Sequence, residues 1–371
     1  MQGGAGGGGV AGGQSRRKRK VQPRLDLPVN ADGLLVTSEH RSRIRTLAGR
    51  ARNGTAIRLA RGKYVPSAHW SEMNRSEQFR LKVLALVPRN ADGVITGAAA
   101  LALHGSWIMT KNAELRIIGG GQEFRKQPNC KRVEEQIHRE HVTFVDERRT
   151  AVLAKAAFDE CRSRAPRGTK RPDLRGTVLA VEGALNCGAS REEMLKMPDL
   201  YPRVHGRKHF AEALQVCHGF CESPGEALTK VALIEAGFGF HQMGVGSHRV
   251  LEQVEIRTSK SRTGRSEFVA RVDFYVPALG LAIEFDGATK YQRSAVVPDS
   301  SSQRTLMTRE IHRERAIRAL GCDVLRVEWS EVLQPNASFR EKVRKVVEAR
   351  ELALRNGAAE FIGEAYFIPT S

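Results

Sequence analysis

Two neighbouring strand patterns in the C-terminal part of the sequence constrain its fold more than any other feature. Apolar and polar residues alternate through 268–276 and again through 281–286. Such alternation is typical of β-strands, in which successive side chains point to opposite faces of the sheet. Since only the short segment 277–280 connects the two patterns, we predict that they pair as an antiparallel hairpin.

The segments around this hairpin predict a mixed sheet covered by helices. A helical pattern at 224–236 precedes a strand pattern at 249–256. After the hairpin come a helix at 302–320, a strand at 323–329 and a last helix that Ser338 would cap. The order helix, three strands, helix, strand, helix predicts the α/β fold class, with an α+β type of mixed sheet.

The length of 371 residues is enough for two or three domains at about 150 residues each. We predict a mostly helical middle region because patterns such as 71–87, 149–161 and 178–185 are helical. The chain then divides into a disordered basic tail (1–24), a small N-terminal domain (25–68), the middle region (69–200), the α/β domain (201–357) and a C-terminal tail (358–371).

The charge of the chain indicates which kind of partner it binds. The sequence has 60 Lys and Arg residues against 41 Asp and Glu, a formal net charge of +19 and a pI of about 10.1. This excess predicts a polyanionic partner, with nucleic acid favoured over an anionic membrane surface. No apolar run approaches the ~18 residues of a membrane helix, and the Gly-rich start lacks the apolar core of a signal peptide. We therefore expect a cytoplasmic protein with no membrane association.

The N-terminal domain has the pattern of a winged helix-turn-helix unit. Ile44, Leu47 and Ala48 form the apolar stripe of a helix that Asn53-Gly54 ends, and 57–65 is typical of strand, turn and strand. The run Arg58-Leu59-Ala60-Arg61-Gly62-Lys63-Tyr64-Val65 resembles the wing of the N-terminal domain in abortive-infection antitoxins of the type IV toxin–antitoxin kind, and the middle region resembles their second part. Basic residues expected to contact DNA phosphates, which position a protein without specifying sequence, are Arg41, Arg43, Arg45, Arg58, Arg61 and Lys63.

The predicted hairpin gathers three carboxylates. If the even-numbered residues of 268–276 and the odd-numbered residues of 281–286 share the apolar face, then Asp273, Glu284 and Asp286 lie together on the other. Carboxylates this close repel one another unless a cation lies between them. Mg²⁺ or Mn²⁺ prefers oxygen ligands, can activate a water molecule and can stabilise a phosphate leaving group. We therefore predict that these three carboxylates hold a divalent cation.

Two further residues would complete such a site. Glu226 lies in the first turn of the helix after Ser223-Pro224, and Lys290 follows Asp286 by four positions. A lysine ammonium there would offset charge on a pentavalent phosphate. The residues thus indicate cation-dependent hydrolysis of a phosphodiester in nucleic acid, with catalytic candidates Glu226, Asp273, Glu284, Asp286 and Lys290.

The α/β domain also carries a set of motifs in a specific order and spacing. They are Glu222-Ser223-Pro224-Gly225-Glu226, Ala270-Arg271-Val272-Asp273-Phe274, Ile283-Glu284-Phe285-Asp286-Gly287, 313–321 and 324–329. Over about 207–350 they resemble the very-short-patch-repair-like endonucleases of bacteria, which belong to the PD-(D/E)XK nuclease superfamily. The resemblance implies a restriction-endonuclease-like fold, with Asp273 and Glu284 as metal ligands and Glu226 as the supporting acid on the helix.

The chain departs from this family at one position of its motif. Asp286 stands where restriction enzymes usually carry a lysine. Either Lys290 takes over that role, or the site has changed its chemistry. Glu310 and Arg313 lie a helical turn apart on the next helix and could face the site or the DNA backbone, so Arg313 joins the candidate DNA contacts.

Each candidate residue also has a purely structural interpretation. Segment 223–226 is a helix capping box with proline in the first helical position, Asp273 could pair with Arg271, and Glu310 could pair with Arg313. Four residues have the spacing of zinc ligands, but packing of an ordinary apolar helix explains them better: His205, His209, Cys217 and Cys221.

Three functional hypotheses of different kinds follow. The first is a Mg²⁺- or Mn²⁺-dependent DNA endonuclease with an antitoxin-like N-terminal region. The second is a DNA-binding transcriptional repressor or antitoxin whose nuclease-like domain is inactive, an alternative that Asp286 in the lysine position favours. A cognate toxin, or a partner in repair or defence, is compatible with both. A binding module that uses its charge only for solubility ranks third.

Overall fold

The computed structural model describes residues 29–37, 44–121, 130–165, 173–240, 248–258, 266–287, 300–357, 360 and 362–367. Four predictions concern residues outside these ranges: the basic tail 1–24, Arg41, Arg43 and Lys290. The chain divides into two compact units, Met1–His69 and Trp70–Ser371. The helices that the structure describes all lack the continuous apolar stretch that a bilayer crossing would require.

The first unit is a small three-stranded sheet with a helix. Its described elements are β1 (Leu35–Val36), α1 (Ile44–Arg52), β2 (Ala56–Ala60) and β3 (Lys63–Pro66). Both strand pairs are antiparallel, in the order β1-β3-β2. Leu35, Leu47 and Tyr64 are buried together as its core. The predicted hairpin at 57–65 is confirmed, and α1 ends just before Asn53-Gly54 as predicted.

The second unit begins with a mixed region of helices and strands. In the sequence, the helix α2 (Ser67–Glu72) includes the boundary between the units. The elements that follow it are α3 (Arg75–Leu86), β4 (Val94–Thr96), α4 (Gly97–Leu103), β5 (Leu115–Ile118), β6 (Cys130–Val133), β7 (Val142–Val145), β8 (Arg148–Ala151), α5 (Leu153–Ser163), α6 (Leu174–Asn186), α7 (Arg191–Leu200) and α8 (Arg207–Val216). Five of these strands form one sheet in the order β6-β5-β4-β8-β7.

Helices make up most of the regular structure of the middle region, as predicted, but the five-stranded sheet beside them was not expected. The five strands are each three or four residues long, too short to show a clear alternation, and exposed charges such as Lys131 and Arg149 interrupt them. The helix predicted at 149–161 begins only at Leu153, after β8. The helix predicted at 71–87 is divided in two, because Asn74 and Glu77 form a capping box that starts α3.

The rest of the second unit is built on a six-stranded mixed sheet. Its elements are α9 (Pro224–Glu235), β9 (Gly239–Phe240), β10 (Arg249–Arg257), β11 (Phe268–Val276), β12 (Leu281–Asp286), α10 (Ser300–Ala319), β13 (Asp323–Glu328), a single helical turn (Trp329–Val332), α11 (Ala337–Arg355) and β14 (Glu364–Phe367). The strand order is β13-β12-β11-β10-β14, with β9 also paired to β10. The prediction of an α/β protein with a mixed sheet is confirmed, because β12 and β13 are parallel and β11 and β12 antiparallel.

Two details of this region differ from the sequence predictions. The last helix is capped by Asn336, whose side chain accepts hydrogen bonds from the backbone of Ser338 and Phe339, so Ser338 is not the cap. The C-terminal tail, which showed no recognisable pattern, contributes the edge strand β14. Its pairing with β10 depends on residues about a hundred positions earlier, which a local pattern does not reveal.

The main hydrophobic core of the second unit includes residues from both the middle region and the C-terminal part. Buried side chains from the middle region, such as Val178 and Phe210, pack in the same cluster as Leu228 of α9 and Ile283 of β12. The structure therefore does not separate the predicted segments 69–200 and 201–357 into distinct compact units. The consequence is that the C-terminal sheet is held against a large helical support.

Candidate functional site

The hairpin brings two of the predicted metal ligands to neighbouring positions. Phe274 of β11 lies opposite Ile283 of β12, so Asp273 and Glu284 are the next residues along the two strands. The backbone pairing of β11 with β12 does not continue to Asp273 and Glu284. Instead, the Asp273 Oδ2 atom accepts a hydrogen bond of 2.8 Å from the backbone N–H of Phe285, which fixes the Asp273 carboxylate at the end of the hairpin.

The side chains of β11 do not keep the strict alternation that the sequence suggested. Ala270 and Val272 pack in one cluster with Tyr275, whereas Phe274 and Val276 pack in the main core. The expectation that all even-numbered residues of 268–276 share a face is therefore wrong, because the strand exchanges its faces near Asp273.

The neighbouring strand β10 changes conformation at the same level. Glu252 pairs with Phe274 and Val254 pairs with Val272, which leaves Gln253 opposite Asp273. Gln253 has a backbone φ of +49°, a left-handed conformation that costs a non-glycine residue roughly 1–2 kcal/mol. Both strands thus deviate from regular geometry where the candidate carboxylate lies.

Glu226, in the first turn of α9, contacts the same part of the sheet through the side chain of Gln253. Ser223 caps the helix through its hydroxyl, which accepts the Glu226 N–H at 3.2 Å and donates to Glu226 Oε1 at 2.8 Å. The Glu226 Oε2 atom accepts the backbone N–H of Glu222 at 2.8 Å and the side-chain amide of Gln253 at 3.0 Å. The predicted capping role of Ser223 is confirmed, but the Glu226 carboxylate binds the N–H of Glu222 rather than that of Ser223.

The electrostatics of Glu226 link it to Asp273. Burial raises the pKa of Glu226 to about 7, and the negative charge of Asp273 adds to this effect. A buried carboxylate beside a second, partly buried one forms an arrangement that a divalent cation would stabilise. Both groups offer the oxygen ligands that Mg²⁺ and Mn²⁺ prefer.

Glu284 is held differently, by arginine side chains. Its two oxygen atoms form a fork with the two terminal nitrogens of Arg313, each at 2.7 Å, and Arg326 lies 3.4 Å from Oε2. Arg326 also lies 4.0 Å from Asp286. The carboxylate of Glu284 is thus paired with guanidinium groups, whereas the contact of Asp286 with Arg326 is only at the limit of ion-pair distance.

Glu310 belongs to the same network, as the structural interpretation of its sequence suggested. It pairs with Arg313 at 2.6 Å and also with Arg326. Burial raises the pKa of Glu310, but hydrogen bonds from Arg313 and Arg326 outweigh burial and lower the pKa to about 2. Arg313, a predicted DNA contact, is therefore engaged by two carboxylates and would have to leave them to bind a phosphate.

The three predicted metal ligands do not converge on one point. Asp273, Glu284 and Asp286 are all described, yet their oxygen atoms do not all come within 4.8 Å of one another. Asp273 instead lies close enough to Glu226 for its negative charge to raise the pKa of Glu226. Sequence reasoning missed Gln253 and Arg326, which join these carboxylates from other strands; the only local signal for Gln253 was a polar residue inside the pattern at 249–256.

One set of potential ligands does lie within 4.8 Å: Glu182, Cys221 and Glu252. A lysine ammonium already serves as their cation, since Lys230 Nζ contacts Glu182 and lies 2.6 Å from Glu252. Burial also raises the pKa of the Cys221 thiol, which disfavours the thiolate form that binds metals. We therefore interpret this cluster as a buried ion pair.

The predicted DNA contacts of the first unit are placed on its surface. Arg45, Arg58 and Arg61 are exposed, and Lys63 is partly buried. Among the residues that the structure describes, Arg45, Arg58 and Arg61 form no ion pair. Their guanidinium groups can therefore bind phosphates without breaking an ion pair among the described residues, although Arg58 Nε also donates to the carbonyl of Ala60 at 3.4 Å.

Gly225 makes the close approach of α9 to the hairpin possible. A methyl group at Gly225 would lie 1.9 Å from the Phe285 ring. We expect Gly225→Ala to lower the free energy of unfolding by about 1–3 kcal/mol, or more, because the ring must move. Urea unfolding measures this change. The matched control is Gly49→Ala, where nothing lies within 4 Å and the helix should gain rather than lose stability; equal stability of both variants would contradict the close packing.

The zinc interpretation gains no support from the described residues. His205 contacts the carbonyl of Ala165, and His209 contacts Glu212, so the two imidazoles have separate partners.

No family model, curated protein or solved structure matches this chain.

Proposed function

We propose that this protein is a DNA endonuclease that hydrolyses phosphodiester bonds with Mg²⁺ or Mn²⁺. The observation that carries the proposal is that Gln253, which has a left-handed backbone opposite Asp273, binds the Glu226 carboxylate through its amide and so brings two carboxylates to one part of the sheet. A divalent cation bound there would activate water and stabilise the leaving oxygen. Glu284 would join these ligands once Arg313 releases it. Glu284 directly precedes Phe285, whose backbone N–H binds the Asp273 carboxylate.

The arrangement of elements supports a restriction-endonuclease-like domain as part of this proposal. A helix carries Glu226, an antiparallel run of three strands carries Asp273 and Glu284, and a helix and a parallel strand follow. This order agrees with the resemblance of the motifs between Glu222 and Trp329. The β2–β3 hairpin and α1 support a winged-helix-like first unit in the same way.

DNA is the substrate class that the charge supports. The chain carries +19, and exposed arginines such as Arg45, Arg58 and Arg61 can contact phosphates. Phosphate contacts release counterions, so affinity should fall steeply with salt concentration. A cytoplasmic location is part of this proposal, since chromosomal or invading DNA is found there in a bacterium.

A second candidate is a catalytically inactive DNA-binding repressor or antitoxin. The fork between Arg313 and Glu284 favours it, because a carboxylate bound by a guanidinium group is not free for a cation. Asp286, which replaces the usual lysine of the motif, points in the same direction. In this case the toxin or other protein partner would decide the biological role.

The two candidates predict different results with plasmid DNA. We expect the wild-type chain to nick or linearise supercoiled DNA with Mg²⁺ or Mn²⁺ and to lose this activity in EDTA. A gel assay over time measures it, on single- and double-stranded substrates. Salt-sensitive binding without any cutting, in either metal, would overturn the endonuclease and support the inactive DNA-binding protein.

A further inference from the structure

Gln253 combines two unfavourable features at one buried residue. Its side chain is 3% exposed, and its backbone has a φ of +49°. The amide nitrogen donates to Glu226 Oε2 at 3.0 Å, whereas among the described residues the amide oxygen Oε1 has no hydrogen-bond partner. A buried polar atom without a partner costs about 1–3 kcal/mol. Backbone strain and an unsatisfied oxygen on one residue are typical of functional sites.

The orientation of this amide follows from its neighbour. Glu226 Oε2 is an acceptor that also binds the N–H of Glu222, so the Gln253 nitrogen must face it. The oxygen of the same amide is then turned away from the Glu226 carboxylate. Gln253 lies opposite Asp273 between the pairs Glu252–Phe274 and Val254–Val272, so the residue with this unpartnered oxygen connects the position of Asp273 with the Glu226 carboxylate.

We propose that Gln253 Oε1 is a neutral oxygen ligand of a divalent cation that Asp273 and Glu226 bind. Amide oxygens are ordinary ligands of hard cations such as Mg²⁺ and Mn²⁺. The cation supplies the partner that the oxygen lacks, and the amide nitrogen orients the Glu226 carboxylate. This inference rests on the proposed function, because it assigns a further ligand to the same cation site.

Calorimetric titration of Mn²⁺ into the full chain, without DNA, tests the assignment. We expect Gln253→Leu to weaken Mn²⁺ binding by about 10- to 100-fold, since it removes the oxygen and releases Glu226. The matched control is Gln215→Leu, an exposed glutamine on α8, which should bind like wild type. Wild-type affinity in Gln253→Leu, with binding lost in Asp273→Asn, would overturn the role of Gln253 and leave the proposed function intact. Failure of the wild type to bind Mn²⁺ would overturn both.

Gln253→Glu separates a ligand from a purely structural residue and serves if Gln253→Leu does not fold. A ligand role predicts that Gln253→Glu keeps or strengthens Mn²⁺ binding, because it retains an oxygen and adds charge. It also predicts that Mn²⁺ raises the melting temperature of Gln253→Glu more than that of wild type, since the ion relieves carboxylate repulsion. A structural role predicts weaker binding, because the donor to Glu226 is gone; that result would overturn the assignment.

Discussion

Replacing Lys230 with methionine should lower the free energy of unfolding by about 3–5 kcal/mol, the effect expected when one partner of a buried ion pair is removed. Lys230 is completely buried, and its ammonium contacts Glu182, Glu252 and the carbonyl of Val216. Methionine fills a similar volume but leaves two carboxylates without their cation. Urea or guanidinium unfolding at neutral pH measures the loss.

Two control variants identify the cause of that loss. The triple variant Lys230→Met, Glu182→Gln, Glu252→Gln removes all three charges, so it should recover part of the stability. Lys196→Met removes an exposed ion pair with Glu192 and should change stability by less than about 1 kcal/mol. Wild-type stability in Lys230→Met alone would contradict the buried ion pair.

Replacing Asp273 with asparagine should reduce cation-dependent DNA cleavage at least about 100-fold. A bound cation contributes several kcal/mol to transition-state stabilisation, and each 1.36 kcal/mol corresponds to about tenfold in rate. Asparagine keeps an oxygen that can accept the Phe285 N–H, so the hairpin should remain folded while the charge that attracts the cation is lost. Initial rates of plasmid nicking at several Mn²⁺ concentrations measure the effect.

The matched control for this variant is Asp323→Asn. Asp323 lies on β13 of the same sheet and pairs with Arg318, away from the candidate carboxylates. Its cleavage rate should stay close to that of wild type, and both variants should bind DNA with wild-type affinity. Equal cleavage by Asp273→Asn and wild type would show that Asp273 does not hold the cation.

The sequence predicted the individual elements of the C-terminal sheet well. Ser223-Pro224 started α9, Gly237 followed its end, and the alternation in 268–286 predicted the β11–β12 hairpin. These signals are local, because capping bonds and side-chain alternation involve residues a few positions apart. The same rules failed in the middle region, where strands of three or four residues are stabilised by partners far away in the sequence.

The candidate site likewise has some features that local sequence signals predict and others that depend on long-range packing. The sequence by itself determined which acids are close in space along one hairpin, since the short connection 277–280 forces Asp273 and Glu284 to adjacent positions. Only the tertiary structure decided what surrounds them. The amide of Gln253, the Arg313 fork on Glu284 and the Lys230 ammonium come from other elements. Their contacts depend on how strands and helices pack across the core, where burial and paired charges, rather than neighbouring residues, set the geometry.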